Sequence, residues 1–171
     1  MRRLALGLSV VLLVAGLAAT EAAACGDKFL VIGRGAKRVQ KARHPAAVLL
    51  YERPGSALPA AAKEMKLEAR LREAGHSVDS VTAEVALKEA LGSRRYDFVF
   101  ADLTDAPSVA RQLESVSGRP AVVPVADGAT DAAVESAKAE YGLVVKKGKS
   151  LSYLSSLDEA MGRRLRQVAS R

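Results

Sequence analysis

From residue 46 onward the chain alternates short apolar runs with segments of helical period, five times over. Near-continuous apolar runs belong to strands covered on both faces, and the helical segments between them are the crossovers that parallel strands require. Strands are read at 46–51, 76–81, 96–101, 121–125 and 143–145. Right-handed crossovers leave few ways to order them. The pattern predicts a flavodoxin-like, doubly wound α/β domain over 44–171, with a five-stranded parallel sheet in the order 2-1-3-4-5. A chain of 171 residues suffices for one such domain and an N-terminal extension.

Local signals set the expected element ends. The segment 56–74 carries two slightly rotated apolar faces, so it is read as a bent helix or as a loop followed by a shorter helix, stopped by Gly75. Ala83, Ala86, Leu87, Ala90 and Leu91 form one helical face, closed by Gly92. Pro107 suits the first turn of the helix after the central strand. Pro124 removes a donor from the fourth strand and predicts a strand end or a sheet edge. Thr130 is the expected N-cap of the next helix and Gly142 its stop. Ser156 and Glu159 offer a capping box for a last helix whose inward stripe is Leu154, Leu157, Met161, Leu165 and Val168.

The first part of the chain is a different kind of sequence. Arg2 and Arg3 precede an apolar run at 4–19 and the small residues Ala22, Ala23 and Ala24. This is the order of a secretory signal peptide, so 1–24 is read as an export signal and the protein as periplasmic or secreted. Cys25, the only cysteine, follows the expected cleavage site and excludes an intramolecular disulfide. It is either the lipid-modified first residue of a membrane-anchored lipoprotein or a free or intermolecularly paired thiol. Ala22, three residues before it where lipoproteins usually carry Leu, and the nearby Glu21 weigh against lipidation. The next segment, 25–43, reads as a short strand at 28–33 followed by an exposed basic linker. Its Gly33-Arg34-Gly35 lacks the third glycine of a dinucleotide loop, since Arg38 stands there.

The net charge of +7 belongs mostly to that linker, because 28–43 carries six basic residues and no acidic one. From His44 on, 18 basic residues face 17 acidic ones. A near-neutral domain with no Trp and 4% aromatic residues is not built as a nucleic-acid platform. The expected partner is an unknown protein or an anionic surface, with membrane contact if Cys25 is lipidated. His44 and His76 are the only histidines, and no cysteine or acid stands at ligand spacing from them, so no metal site and no cofactor is expected. No G-x-S-x-G elbow is present.

The central strand runs into Asp102, at the sheet edge where open α/β folds keep their chemistry. From His44 to the end, the chain resembles the receiver domains of bacterial response regulators. The resemblance rests on Val48-Leu-Leu-Tyr-Glu52, on Tyr96-Asp-Phe-Val-Phe-Ala-Asp102 and on Gly142-Leu-Val-Val-Lys146. It implies that Glu52 matches the first acid of a Mg²⁺-binding pair, Asp102 the phosphoacceptor and Lys146 the lysine that neutralises the phosphoryl group. Two members are missing: Arg53 stands where the second acid belongs and Val125 where the phosphoryl-binding hydroxyl belongs. A guanidinium beside the metal position and a side chain that cannot donate a hydrogen bond both oppose phosphotransfer. Arg53 or Lys146 is therefore expected to pair with Asp102, relieving repulsion between Asp102 and a nearby Glu52. The reading is an exported, non-catalytic pseudo-receiver that binds a protein or surface. The rivals are a working phosphoacceptor using Asp102 and a binder of a small anion at Lys146, Lys147 and Lys149.

Overall fold

The computed structural model describes residues 41–147 and 152–169. The export signal, Cys25, the strand at 28–33, most of the basic linker and Lys149 lie outside the described residues. In chain order the elements are β1 (Ala47–Tyr51), α1 (Leu58–Met65), α2 (Leu67–Ala74), β2 (Ser77–Val81), α3 (Glu84–Ser93) and β3 (Phe98–Asp102). They continue with α4 (Ala106–Leu113), β4 (Ala121–Ala126), α5 (Asp131–Tyr141), β5 (Val145–Lys146) and α6 (Ser152–Ala169). The five strands form one parallel sheet in the order β2-β1-β3-β4-β5, as the alternation predicts.

Period-two alternation splits the core between the two faces of the sheet. Val48, Leu50, Phe98, Phe100, Val123 and Val125 meet α1, α2 and α6 on one side. On the other, Leu49, Val99, Ala101 and Val122 meet Leu87 of α3 and Val109 and Leu113 of α4. Asp102 follows Phe100 by two residues, so it shares the α1 face and stands in register with Val125.

The structure corrects several expected boundaries. Two helices, α1 and α2, replace the bent helix, and the break is at Lys66, whose φ of 51° is left-handed. Helix α3 runs through Gly92 to Ser93. Helix α6 begins at Ser152 rather than at Ser156, because Tyr153 and Leu154 already extend the stripe that buries Leu157 and Met161. Leu165, expected to point inward, is 46% exposed.

Pro124 lies inside β4, a strand flanked on both sides, and not at an edge. Its missing donor is still felt. Ala121 N donates to Asp97 O, and Val125 O accepts from Leu103 N, so the odd-numbered backbone groups face β3 and position 124 faces β5. Pairing with β5 accordingly begins only at Val125 with Val145. This is why the fifth strand is two residues long and not the 143–145 run.

Candidate functional site

The carboxyl edge of the sheet gathers Glu52 and Arg53 after β1, Asp102 at the end of β3, Thr104 and Asp105 after it, and Asp127 after β4. A turn at 53–56 shapes one side of the crevice. Pro54 and Gly55 occupy its centre, Gly55 at φ 84°, while Arg53 O accepts from Ser56 N at 3.2 Å and from Ser56 Oγ at 2.8 Å. The turn delivers the first backbone N–H groups of α1 to Asp102.

Asp102 is 5% exposed, and donors reach both of its oxygens. Oδ2 accepts from Ala57 N at 2.9 Å; Oδ1 accepts from Thr104 N at 2.9 Å and Thr104 Oγ1 at 2.7 Å. Burial alone would raise its pKa. The bonds from Thr104, Ala57 and Leu58 outweigh burial and hold the carboxyl below the usual range. Asp102 thus serves as the anion at the N-terminus of α1, where free N–H groups and the helix dipole favour negative charge.

The expected ion pair to Asp102 does not form. Arg53 turns to Asp105 in a two-point contact, Nη2 to Oδ1 at 2.7 Å and Nε to Oδ2 at 2.9 Å. Donation to Asp105 raises the guanidinium pKa, and Asp102 adds only a small attraction. Lys146 sits in register with Ala126, one residue beyond the Asp102 row, and its ammonium pairs with Asp131 at the start of α5. Lys147 bridges Glu64 of α1 and Asp127, each at 2.9 Å. Two of the three lysines of the small-anion reading, Lys146 and Lys147, are therefore held by carboxylates. Glu52 is raised first by partial burial and then by repulsion from Glu68. Its repulsive neighbour is on α2 rather than on β3.

Val125 occupies the place the resemblance gives to a hydroxyl, side by side with Asp102 and 1% exposed. It offers the crevice no hydrogen-bond donor. The residues present do not fit a divalent cation, which needs several converging oxygens. Both Asp102 oxygens face N–H or O–H donors, Arg53 places a guanidinium on Asp105, and among the described residues no three His, Cys, Asp or Glu side chains gather as a cation site. Thr104 and Asp105 were missed from sequence. The D-x-T-D spacing carried the signal, since a hydroxyl residue two places after an aspartate commonly closes an Asx turn on it.

No protein-family model matches the chain, and no curated protein matches its sequence. A solved structure does: a response regulator receiver protein from Burkholderia phymatum superposes with a TM-score of 0.53 at 20% identity, over 69% of this chain and 95% of that one. The domain is receiver-like in fold.

Proposed function

We propose that this is an exported receiver-like module that performs no phosphotransfer and acts by binding. The observation that carries the reading is the state of Asp102. A phosphoacceptor must present a free carboxylate oxygen to an incoming phosphoryl group, with cations to balance the charge. Here the carboxylate is buried and engaged by the α1 N-terminus and Thr104. The cations that would balance it are held by Asp105, Asp131, Glu64 and Asp127. Export, read from residues 1–24, agrees, because intracellular phosphodonors are not expected outside the membrane. The face formed by α6 and β5, which the resemblance to receiver domains suggests as a partner surface, is a candidate for protein contact.

The test is a beryllofluoride and Mg²⁺ titration followed by amide NMR. The expected outcome is no shift at Asp102, Leu103 or Val125. Saturable shifts there, lost in Asp102→Asn, would establish a working phosphoacceptor.

A further inference from the structure

The near-neutral domain is electrically lopsided. In a parallel sheet all crossover helices end at the amino edge, so the turns into the strands and the end of α6 gather there. The turns entering β1, β3 and β4 and residues 163–169 carry eight basic residues and two acidic ones, Asp97 and Glu114. Asp97 is already committed, its Oδ2 accepting from Ala47 N at 2.8 Å. Lys41, Arg43, Arg95, Arg119 and Arg166 are exposed and make no ion pair among the described residues. The opposite edge holds Glu52, Asp102, Asp105, Asp127 and Asp131 against Arg53, Lys146 and Lys147, each of which is paired with an acid there.

Three further features lie on the basic edge. Arg164 makes it continuous: its Nη2 donates to Gly118 O at 3.2 Å and Arg119 O at 3.1 Å, and its guanidinium lies 5.9 Å from the centre of the Phe98 ring. Leu165, one of two exposed large apolar side chains among the described residues, falls between Arg164 and Arg166. An open cleft of about 610 Å³ between the ends of α3 and α4 is lined by Lys88, Arg94, Arg95, Ser115, Ser117 and Gln112. Lys88 and Arg94 in that cleft pair with Glu84 at 3.0 Å and Asp79 at 2.7 Å, which leaves Arg95 as its unpaired cation among the described residues.

The described chain also enters at this edge, where Ala42 N donates to Ala74 O at 2.8 Å.

We infer that the amino edge docks on an anionic phospholipid surface, with Leu165 at the acyl boundary. Each Lys or Arg near an anionic leaflet adds about 1 kcal/mol, roughly fivefold in partitioning, and an apolar residue among basic ones distinguishes a lipid surface from a soluble polyanion. The inference goes beyond the absence of phosphotransfer and does not depend on it.

The experiment is co-sedimentation of the full chain with vesicles of phosphatidylcholine alone and of equal parts phosphatidylcholine and phosphatidylglycerol. The triple variant Arg95→Gln, Arg119→Gln, Arg166→Gln should bind the mixed vesicles about 100-fold more weakly, three steps of fivefold. Its binding to phosphatidylcholine, which carries no net charge, should not change. Leu165→Ser should weaken mixed-vesicle binding by a further few-fold, and wild-type binding should fall steeply with salt. Should the triple variant fold poorly, the salt series and Leu165→Ser decide alone. Equal binding of wild type and triple variant, salt-independent binding, or displacement of the wild type by soluble heparin as efficient as by mixed vesicles would each overturn the inference. Phosphorylation at Asp102 would leave every arm of this experiment readable.

Discussion

Replacing Asp102 by Ala removes the acceptor for Ala57 N, Leu58 N, Thr104 N and Thr104 Oγ1 together. A hydrogen bond to a charged group contributes about 1.5–3 kcal/mol, and loss of an N-terminal cap costs about 0.5–2 kcal/mol. Part of this returns, because Ala57 and Thr104 lie at the surface and water reaches their donors, and because the buried carboxylate no longer has to be desolvated. The net loss should be about 2–3 kcal/mol, a fall of roughly 6–10 °C in Tm for a domain of this size. Asp102→Asn keeps one acceptor oxygen but turns an amide N–H toward existing donors, so it should lose roughly half as much. Because the folded pKa of Asp102 is depressed, its contribution is present above the unfolded value of about 3.9 and disappears as pH falls through the folded value. The gap between wild type and Asp102→Ala should therefore be full at pH 7 and narrow as pH falls below the unfolded value and through the lower folded one. Urea melts of the three proteins at several pH values, with and without millimolar Mg²⁺, measure it. An Asp102→Ala variant more stable than the wild type, or a wild type stabilised by Mg²⁺ when the variant is not, would refute the capping role and restore a crowded acidic phosphoacceptor pocket.

Two other outcomes follow from the fold. Lys66 holds a left-handed φ of 51° between α1 and α2, which a side chain tolerates at a penalty of about 1 kcal/mol. Lys66→Gly should raise the urea midpoint by the equivalent of about 0.5–1 kcal/mol, and a drop would mean that the kink is not where strain is held. His76 is buried with Nδ1 accepting from Ala46 N at 3.1 Å, and burial lowers its pKa despite attraction from Asp158. A His with a lowered folded pKa contributes stability above the unfolded value near 6.5 and loses it as pH falls below that. Wild-type stability should decline from pH 7 toward 5 with a slope of at most about 1.4 kcal/mol per pH unit from this group. His76→Asn should flatten that decline, and a slope unchanged by the substitution would reject it.

The sheet was legible because strand identity and order depend on apolar periodicity, which the sequence states openly. What it hid were features set by single backbone groups. The break at Lys66 needs a left-handed residue, and no glycine marks it. The two residues of β5 follow from the direction in which the absent donor of Pro124 would have pointed, and direction becomes known only with the register. The start of α6 was misplaced because a capping-box pattern also occurs inside helices, where Glu159 pairs with Arg163 one turn on.

The error at Asp102 is of the same kind and carries the functional lesson. Counting side-chain cations near a carboxylate predicted an ion pair with Arg53 or Lys146, but a helix N-terminus is also a positive partner, and it is rigid and close. Backbone N–H groups delivered by the 53–56 turn reach Asp102 without desolvating an ammonium, so Arg53 and Lys146 are free to serve Asp105 and Asp131. Once an aspartate at a strand end caps the helix beside it, keeping that aspartate requires only the fold. Its presence at the receiver position is therefore no argument for phosphotransfer. The discriminating positions are its neighbours, Arg53 and Val125, because a cap needs neither an acid pair nor a hydroxyl and a phosphoacceptor needs both.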